Sequence, residues 1–288
     1  MHAQTRFQEI EVVPISPALG AEVRGVDLAA PLSEQAIAEI RRALLDHCVI
    51  FFREQTLTPR TQLAFARRFG DIHLHPFMQG LEEFPEVLPI IKTETDTRNF
   101  GGVWHTDQMF SPQPAMGTML YALEVPPAGG DTLFANMYLA YEALSAGLQR
   151  MLERVRTYNV GDRFKRGGGK TREERYRGMR GMQVKSPGNV VTESNHPLIR
   201  THPETGRKLL YVGSHTQRFD AMSDEESEPL LAFLSRHAVR PEFCCRFRWQ
   251  PGSLAFWDNR CTQHHAVDDY AGSRRVMHRI TIQGDTPY

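Results

Sequence analysis

A chain of 288 residues, 41% apolar and 24% charged, has the composition of an ordinary globular protein, long enough for one large domain or two modest ones. Equal totals of 34 basic and 34 acidic residues leave no formal net charge, which removes the electrostatic case for nucleic acid or an anionic membrane as partner. Any attraction for a substrate must therefore be local. Met1-His2-Ala3-Gln4-Thr5-Arg6 lacks the apolar core of a signal sequence, and no run approaches membrane-spanning length, so a soluble cytoplasmic protein is expected. The cysteines Cys48, Cys244, Cys245 and Cys261 contain no C-x-x-C pair. Free thiols in a reducing cytosol are expected rather than a zinc site.

In chain order, Phe7 to Val26 reads as a first strand pair, with the better alternation in Gly20-Ala21-Glu22-Val23-Arg24-Gly25-Val26. Ser33 can N-cap a helix whose apolar positions Ala36, Ile37, Ile40, Ala43 and Leu44 recur at helical spacing. Cys48 to Phe52 is a buried strand by its β-branched and aromatic run. Thr58-Pro59 supplies an N-cap with proline at the first helical position, opening a helix to about Phe69. A polar, glycine-bearing loop from Asp96 to Gly102 leads into Trp104-His105-Thr106-Asp107. Gly129-Gly130-Asp131-Thr132 follows a Pro126-Pro127 break and begins another strand, after which Asn136 N-caps a helix carrying Ala140, Leu144 and Leu148.

Residues from about Arg156 to Val191 are the least regular stretch, read as a lid or insert over an active site, with plain disorder as the alternative. Its Gly167-Gly168-Gly169 lacks the Lys-Ser/Thr ending and the strand–helix context of a phosphate loop. His196 and His202 are assigned structural roles. Ser223-Asp224-Glu225-Glu226 is a capping box opening a helix with Leu230, Leu231 and Leu234 on one face, and Pro241 ends that unit. No internal repeat interrupts this order, and a single domain over residues 1–288 is expected.

Chemistry concentrates in two places. His105 and Asp107, two residues apart, share a face if the segment is extended. Imidazole with carboxylate suits iron(II) and leaves room for a third ligand and open positions. Alone, H-x-D is weak evidence, because such pairs are commonly satisfied hydrogen-bonders in turns. The second place is Trp257-Asp258-Asn259-Arg260-Cys261-Thr262-Gln263-His264-His265, then a turn-rich stretch and Arg274 to Ile282, which reads as a strand. On it Arg275 and Arg279 share one face and His278 takes the other. Two guanidiniums on one sheet face can grip two small acids bidentately. His264 and His265 point opposite ways, so only one can join His105 and Asp107.

His105-Thr106-Asp107, Gly129-Gly130-Asp131-Thr132 and the run Trp257-Asp258-Asn259-Arg260…Gln263-His264…Arg275…Arg279 together resemble the TauD/TfdA family of Fe(II)/2-oxoglutarate-dependent dioxygenases, over nearly the whole chain from about Pro14 to Tyr288. The resemblance implies a mainly β fold with flanking helices on a double-stranded β-helix (jelly-roll, cupin-like) core. It implies iron(II) held by His105, Asp107 and His264, the family ligand following Thr-Gln, with 2-oxoglutarate and O2 as co-substrates. Thr132 and Arg275 would anchor the far carboxylate of 2-oxoglutarate, while His75, Arg279 and Tyr211 would meet the substrate. The reaction implied is hydroxylation of a C–H in a small anionic organic substrate, a sulfonate, sulfate ester or carboxylate such as an aryloxyalkanoate. It releases succinate and CO2, with oxidative cleavage where a heteroatom adjoins the hydroxylated carbon.

Gly101 and Met78 stand where taurine-oxidising members of the family carry an asparagine and a tyrosine, which favours a bulkier, less polar substrate body. Asp107 disfavours a halogenase. Two further readings are a cupin-like metalloenzyme that uses no oxo acid and a non-catalytic anion-binding protein on the same scaffold; paired Arg275 and Arg279 weigh against the first and the intact triad against the second. A homo-oligomer, dimer or tetramer, is expected.

Overall fold

The computed structural model describes residues 7–162, 171, 174, 176, 179–185 and 188–288; the triple glycine Gly167-Gly168-Gly169 lies outside them. The largest element is an eight-stranded sheet. Its path runs through β1 (Glu11–Pro14), β2 (Ala21–Arg24), β3 (Val49–Phe52), β14 (Leu254–Asp258), β6 (Ala115–Glu124), β16 (Arg275–Gln283) and β4 (Ile72–His73), with β5 (Leu88–Lys92) also paired to β16. A smaller sheet places β7 (Thr132–Asn136) between β13 (Cys244–Phe247) and β15 (Thr262–Ala266). β8 (Arg156–Val160) lies between β12 (Thr216–Phe219) and β9 (Glu193–Pro197), and β10 (Ile199–Thr201) pairs with β11 (Lys208–Leu210). This is the mainly β jelly-roll architecture the sequence leads one to expect.

Burial on both faces explains why the central strands read as unbroken apolar runs. In β3, Val49 and Phe51 join a core cluster shared with the smaller sheet, while Ile50 and Phe52 join a second cluster beneath the helices. β14 alternates in the same way, Ala255 and Trp257 on the first face and Leu254 and Phe256 on the second. The two sheets meet through Phe51 and Phe247, whose rings stack at 3.9 Å. The opposite face is covered by α1 (Glu34–His47), N-capped by Ser33, and by α2 (Pro59–Ala66), whose cap is Thr58. Cys48 ends α1 in a left-handed conformation, so β3 starts one residue later than the apolar run.

Three sequence expectations shift. The helix begun at Asn136 ends at Glu142 as α3 (Met137–Glu142), and Ser145 caps a separate α4 (Ala146–Leu152); a second side-chain cap, Ser145 Oγ to the Leu148 amide, makes two short helices where the apolar spacing suggested one. The stretch from about Arg156, read as irregular, opens with a regular element: Arg156–Val160 is β8, paired on both sides. α2 stops at Ala66, three residues short of Phe69. The capping box of Ser223 and Glu226 forms and opens α5 (Asp224–Ala238).

Candidate metal centre and co-substrate pocket

The H-x-D motif is not on a strand. His105 makes a single antiparallel bridge to His264, and Asp107 already begins a turn. That bridge is reciprocal: the His105 amide donates to the His264 carbonyl at 3.1 Å, and the His264 amide donates to the His105 carbonyl at 2.8 Å. Residues that exchange both bonds stand directly opposite one another. Two histidines 159 positions apart in the chain therefore become neighbours through backbone pairing alone, their rings 4.1 Å apart.

Asp107 closes the triangle. Its Oδ1 stands 3.7 Å from His105 Nε2 and 3.8 Å from His264 Nε2. These separations are too long for hydrogen bonds and suit three ligands of one ion. His105 Nδ1 lies 2.7 Å from the Val103 carbonyl, which can only accept, so the proton sits on Nδ1 and Nε2 keeps its lone pair. Burial pushes the His264 imidazole well below its usual pKa, and His105 beside it adds to the effect, so the ring is neutral and able to ligate. Burial would raise the Asp107 carboxyl, but Arg279, together with His264, His105 and the Thr118 hydroxyl, outweighs it and holds the group well below the usual carboxylate range. Two neutral imidazoles and a carboxylate on one side of a cleft are the donor set of non-haem iron(II) sites. His265 points away, its ring against Trp104 at 5.6 Å.

Residues that the motif reading did not single out hold Asp107 in place. Asn259 Nδ2 donates to Thr118 Oγ1 at 2.9 Å, which leaves the Thr118 hydroxyl proton to donate to Asp107 Oδ2 at 2.7 Å. Asn259 Oδ1 in turn accepts from the Asp107 amide and from Trp257 Nε1. Thr118 carries no signal in the sequence, being one polar residue within the apolar run of β6. Asn259 stands inside the Trp257-Asp258-Asn259-Arg260 run, but nothing in the run by itself gives it this role.

Behind the triad a pocket is lined by His105, His264, Thr132, Trp257, Arg275 and Leu120, among others. Arg275 is buried, and neither its Nε nor its Nη2 has a hydrogen-bond partner in the protein. Two buried guanidinium nitrogens without partners are costly unless an anion completes them. Trp249 Nε1 donates to Thr132 Oγ1 at 3.0 Å, turning the hydroxyl proton away from the indole and toward the pocket. Trp249 is a further residue that spacing could not reveal.

A second cleft of about 340 Å³ opens in front of the triad, lined by His75, Gln108, Arg279 and the rings of Phe100, Phe110 and Tyr176. Gly101 also lines it with φ +81°, and a Cβ there would come within 3.3 Å of His105 Cε1. Arg279 reaches the cleft as expected, but its Nη2 also sits 2.9 Å from Asp107 Oδ1, an ion pair that sequence reading did not foresee. Tyr211 does not reach the cleft. Following β11, it is buried beside Arg200 and His196 in the core, and Ser214 and His215 line the cleft wall.

A second cluster of metal-type side chains, His202, Asp258 and Cys261, is saturated internally. Arg260 engages both Asp258 oxygens, His202 Nε2 donates to Oδ2 at 3.0 Å, and His202 Nδ1 accepts two backbone amides. His202 is structural, as expected. His196 is too, with Nε2 held between Ser194 Oγ and the Ser111 carbonyl.

Comparison with known proteins agrees with this geometry. Residues 11–281 match the family described as taurine catabolism dioxygenase TauD, TfdA family. The chain belongs to the TauD/TfdA dioxygenase family. It is 33% identical over 284 residues to an alpha-ketoglutarate-dependent sulfate ester dioxygenase of Pseudomonas putida, covering 97% of this chain and 91% of the relative. It is also 33% identical, over 290 residues, to the alpha-ketoglutarate-dependent 2,4-dichlorophenoxyacetate dioxygenase of Cupriavidus pinatubonensis, covering 94% and 97%. Among solved structures, a taurine dioxygenase from Burkholderia xenovorans superposes with a TM-score of 0.81 at 38% identity, covering 97% of this chain and 93% of that one. As a TauD/TfdA dioxygenase, the chain is an oxidoreductase dependent on alpha-ketoglutarate, that is, 2-oxoglutarate.

Proposed function

We propose that this TauD/TfdA dioxygenase binds iron(II) through His105, Asp107 and His264 and hydroxylates a C–H of a small organic anion. The observation that carries the proposal is the convergence of the triad on one point beside a pocket whose buried Arg275 guanidinium keeps two nitrogens unpartnered. Bound iron(II), with 2-oxoglutarate and O2, supplies the oxidant that hydroxylates the C–H and releases succinate and CO2. The protein's own residues bind, orient and exclude water. Arg275 and the Thr132 hydroxyl would hold the far carboxylate of 2-oxoglutarate, Arg275 as a charged donor and Thr132 as a neutral one. A cupin-like metalloenzyme without an oxo acid leaves this second anion site without purpose.

The front cleft supports the substrate class. Arg279 and His75 offer positive charge and hydrogen bonds at its inner end, while Phe100, Phe110 and Tyr176 suit an apolar body. Held by its anionic group, the substrate would present a carbon beside the metal; where that carbon bears a heteroatom, hydroxylation leads on to cleavage. Sulfonates, sulfate esters and aryloxyalkanoates all fit this description, in keeping with what the relatives are named for acting on. Two core clusters sharing the eight-stranded sheet support a single domain, and Tyr176, which lines the cleft beside Phe100, supports the lid reading of the surrounding stretch. A cytoplasmic homo-oligomer, dimer or tetramer, is part of the proposal. The free thiols support a reducing compartment, no helix among the described residues is long and apolar enough to cross a membrane, and light scattering reads the assembly.

Succinate release across a panel of sulfonates, sulfate esters, aryloxyalkanoates and other small acids tests the proposal. Stimulation by at least one anionic class is expected. Turnover driven only by uncharged or cationic compounds would overturn the role of Arg279.

A further inference from the structure

Gly161 directly follows β8 and is buried. Its φ lies outside the left-handed region, so backbone conformation gives no reason for a glycine there. Space does. A Cβ at position 161 would stand 2.5 Å from Phe110 Cγ, 2.6 Å from Cδ2 and 2.9 Å from Cδ1. Carbon atoms in contact keep about 3.5–4.0 Å, so a methyl group and this ring cannot share the space. Near-equal distances to these three atoms put the Cβ over the face of the ring. Phe110 therefore lies flat on a stretch of backbone that carries no side chain.

Neither backbone can readily yield. The Val160 amide donates to the His215 carbonyl at 3.0 Å and the Gly161 amide to the Thr192 carbonyl at 2.7 Å, which pins position 161. The carbonyls flanking Phe110, those of Met109 and Ser111, accept from Ser194 Oγ at 3.0 Å and from His196 Nε2 at 2.9 Å. Phe77 and His215 pack edge-on against the ring, their centroids 5.6 and 5.1 Å away. Phe110 is 1% exposed and still lines the cleft in front of the triad, whereas Gly161 does not line it. The ring is thus the wall and Gly161 the backing behind it. In so closely packed a setting, the open side toward which a displaced ring can turn is the cleft.

We infer that Gly161 is a positioning residue that sets substrate selectivity. By carrying no side chain it lets the Phe110 ring sit back, and so keeps the cleft wide enough for a substrate whose body is an aryl ring. The lining supports that class: Phe100 and Tyr176, ring centroids 5.5 Å apart, share the cleft with Phe110, and aromatic rings gain by packing on one another. A side chain at 161 would push the Phe110 ring forward and leave room only for a narrow body. The inference rests on the anion-oxidising reading above, to which it adds the shape of the substrate.

The test uses two pairs of probes that share a head and differ by a ring, phenoxyacetate with methoxyacetate and 2-phenylethanesulfonate with ethanesulfonate. Each is titrated calorimetrically and without air into the full-length enzyme loaded with iron(II) and 2-oxoglutarate. Wild type should bind the ring-bearing member of at least one pair more tightly than its partner. Gly161→Ala should weaken that ring-bearing probe about 10-fold or more, the size of loss that overpacking brings, and its partner less than about 3-fold. In Phe110→Ala, which has no ring to displace, adding Gly161→Ala should change binding of the ring-bearing probe less than about 3-fold. Unchanged binding of that probe in Gly161→Ala overturns the inference, and equal losses for both members of a pair overturn the selection of width in favour of a structural role. A loss in the Phe110→Ala background as large as in the wild-type background overturns the action through Phe110. Should Gly161→Ala alone fail to fold, the double variant decides: folding and binding the ring-bearing probe as Phe110→Ala does upholds the inference, and failure to fold overturns it. A wild type that binds only the small members also overturns it. A wild type that binds none of the four probes overturns the anion-oxidising reading itself, a result distinct from any failure of the Gly161 variants.

Discussion

Arg275 is the residue where burial most clearly demands a ligand. Its guanidinium is enclosed with two nitrogens unpartnered, beside a threonine whose hydroxyl has been turned toward the same space by Trp249. Arg275→Gln keeps some hydrogen-bonding capacity and removes the charge. A charge-assisted pair is worth about 1.5–3 kcal/mol, so KM for 2-oxoglutarate should rise roughly 10- to 100-fold with a smaller change in kcat. An unchanged KM would place the oxo acid elsewhere. At this scale the motif residues were legible because their chemistry is distinctive: an H-x-D pair, tandem histidines, and two arginines at strand spacing. Thr118, Asn259 and Trp249 were not, since nothing in the sequence around each gives it its role, which it acquires only from a neighbour far along the chain. Tyr211, one residue past the end of β11, packs into the core rather than lining the cleft, and an aromatic side chain there carries no local sign of which it will do.

At the scale of elements, the site depends on two turns and one backbone bridge more than on any long strand. The Gly129-Gly130 turn feeds Thr132 into β7; both glycines have positive φ, and the Gly130 amide donates to Asp269 Oδ1 at 2.7 Å. A Cβ at position 130 would meet Pro126 Cγ at 3.2 Å. Gly130→Ala should therefore cost about 1–2 kcal/mol from the left-handed backbone alone, read as a lower urea midpoint, with weaker 2-oxoglutarate binding as Thr132 shifts. An alanine variant as stable as wild type would show that the turn relaxes freely. Caps, turns and two-sided apolar strands announced themselves in the sequence because their causes are local. The break between α3 and α4 was hidden by apolar spacing that continued across it. The bridge between His105 and His264 was invisible as a pairing, because nothing local to either residue specifies a partner 159 positions away.

Across the whole molecule, a buried ionic network ties the layers together. Asp258 and His202 are fully enclosed, Arg260 spans Asp258 and Glu204, and Glu204 also pairs with Arg41 of α1. Burial would raise the Asp258 carboxyl, yet Arg260, with His202 adding to it, holds it far below the usual range. A depressed carboxyl contributes stability fully above its unfolded value near pH 3.9 and loses it as pH falls below that. Burial also pushes His196 down to about 4, so its contribution is present above its unfolded value, near 6.5, and is lost as pH falls toward about 4. Wild-type thermal stability should accordingly decline in two stages, between about pH 6.5 and 4 and again below about pH 4. Asp258→Asn should cost about 3 kcal/mol near neutrality and flatten the second stage. A variant with an unaltered midpoint and an unaltered acid limb would show that the network is neutral to folding.

The most direct measurement is the visible spectrum of the protein after iron(II) and 2-oxoglutarate are added without air. Wild type and His265→Ala should each develop a weak charge-transfer band, while Asp107→Ala and His264→Ala should develop none. A band that persists in Asp107→Ala or His264→Ala, or that disappears in His265→Ala alone, would contradict the assignment of a single metal held by His105, Asp107 and His264.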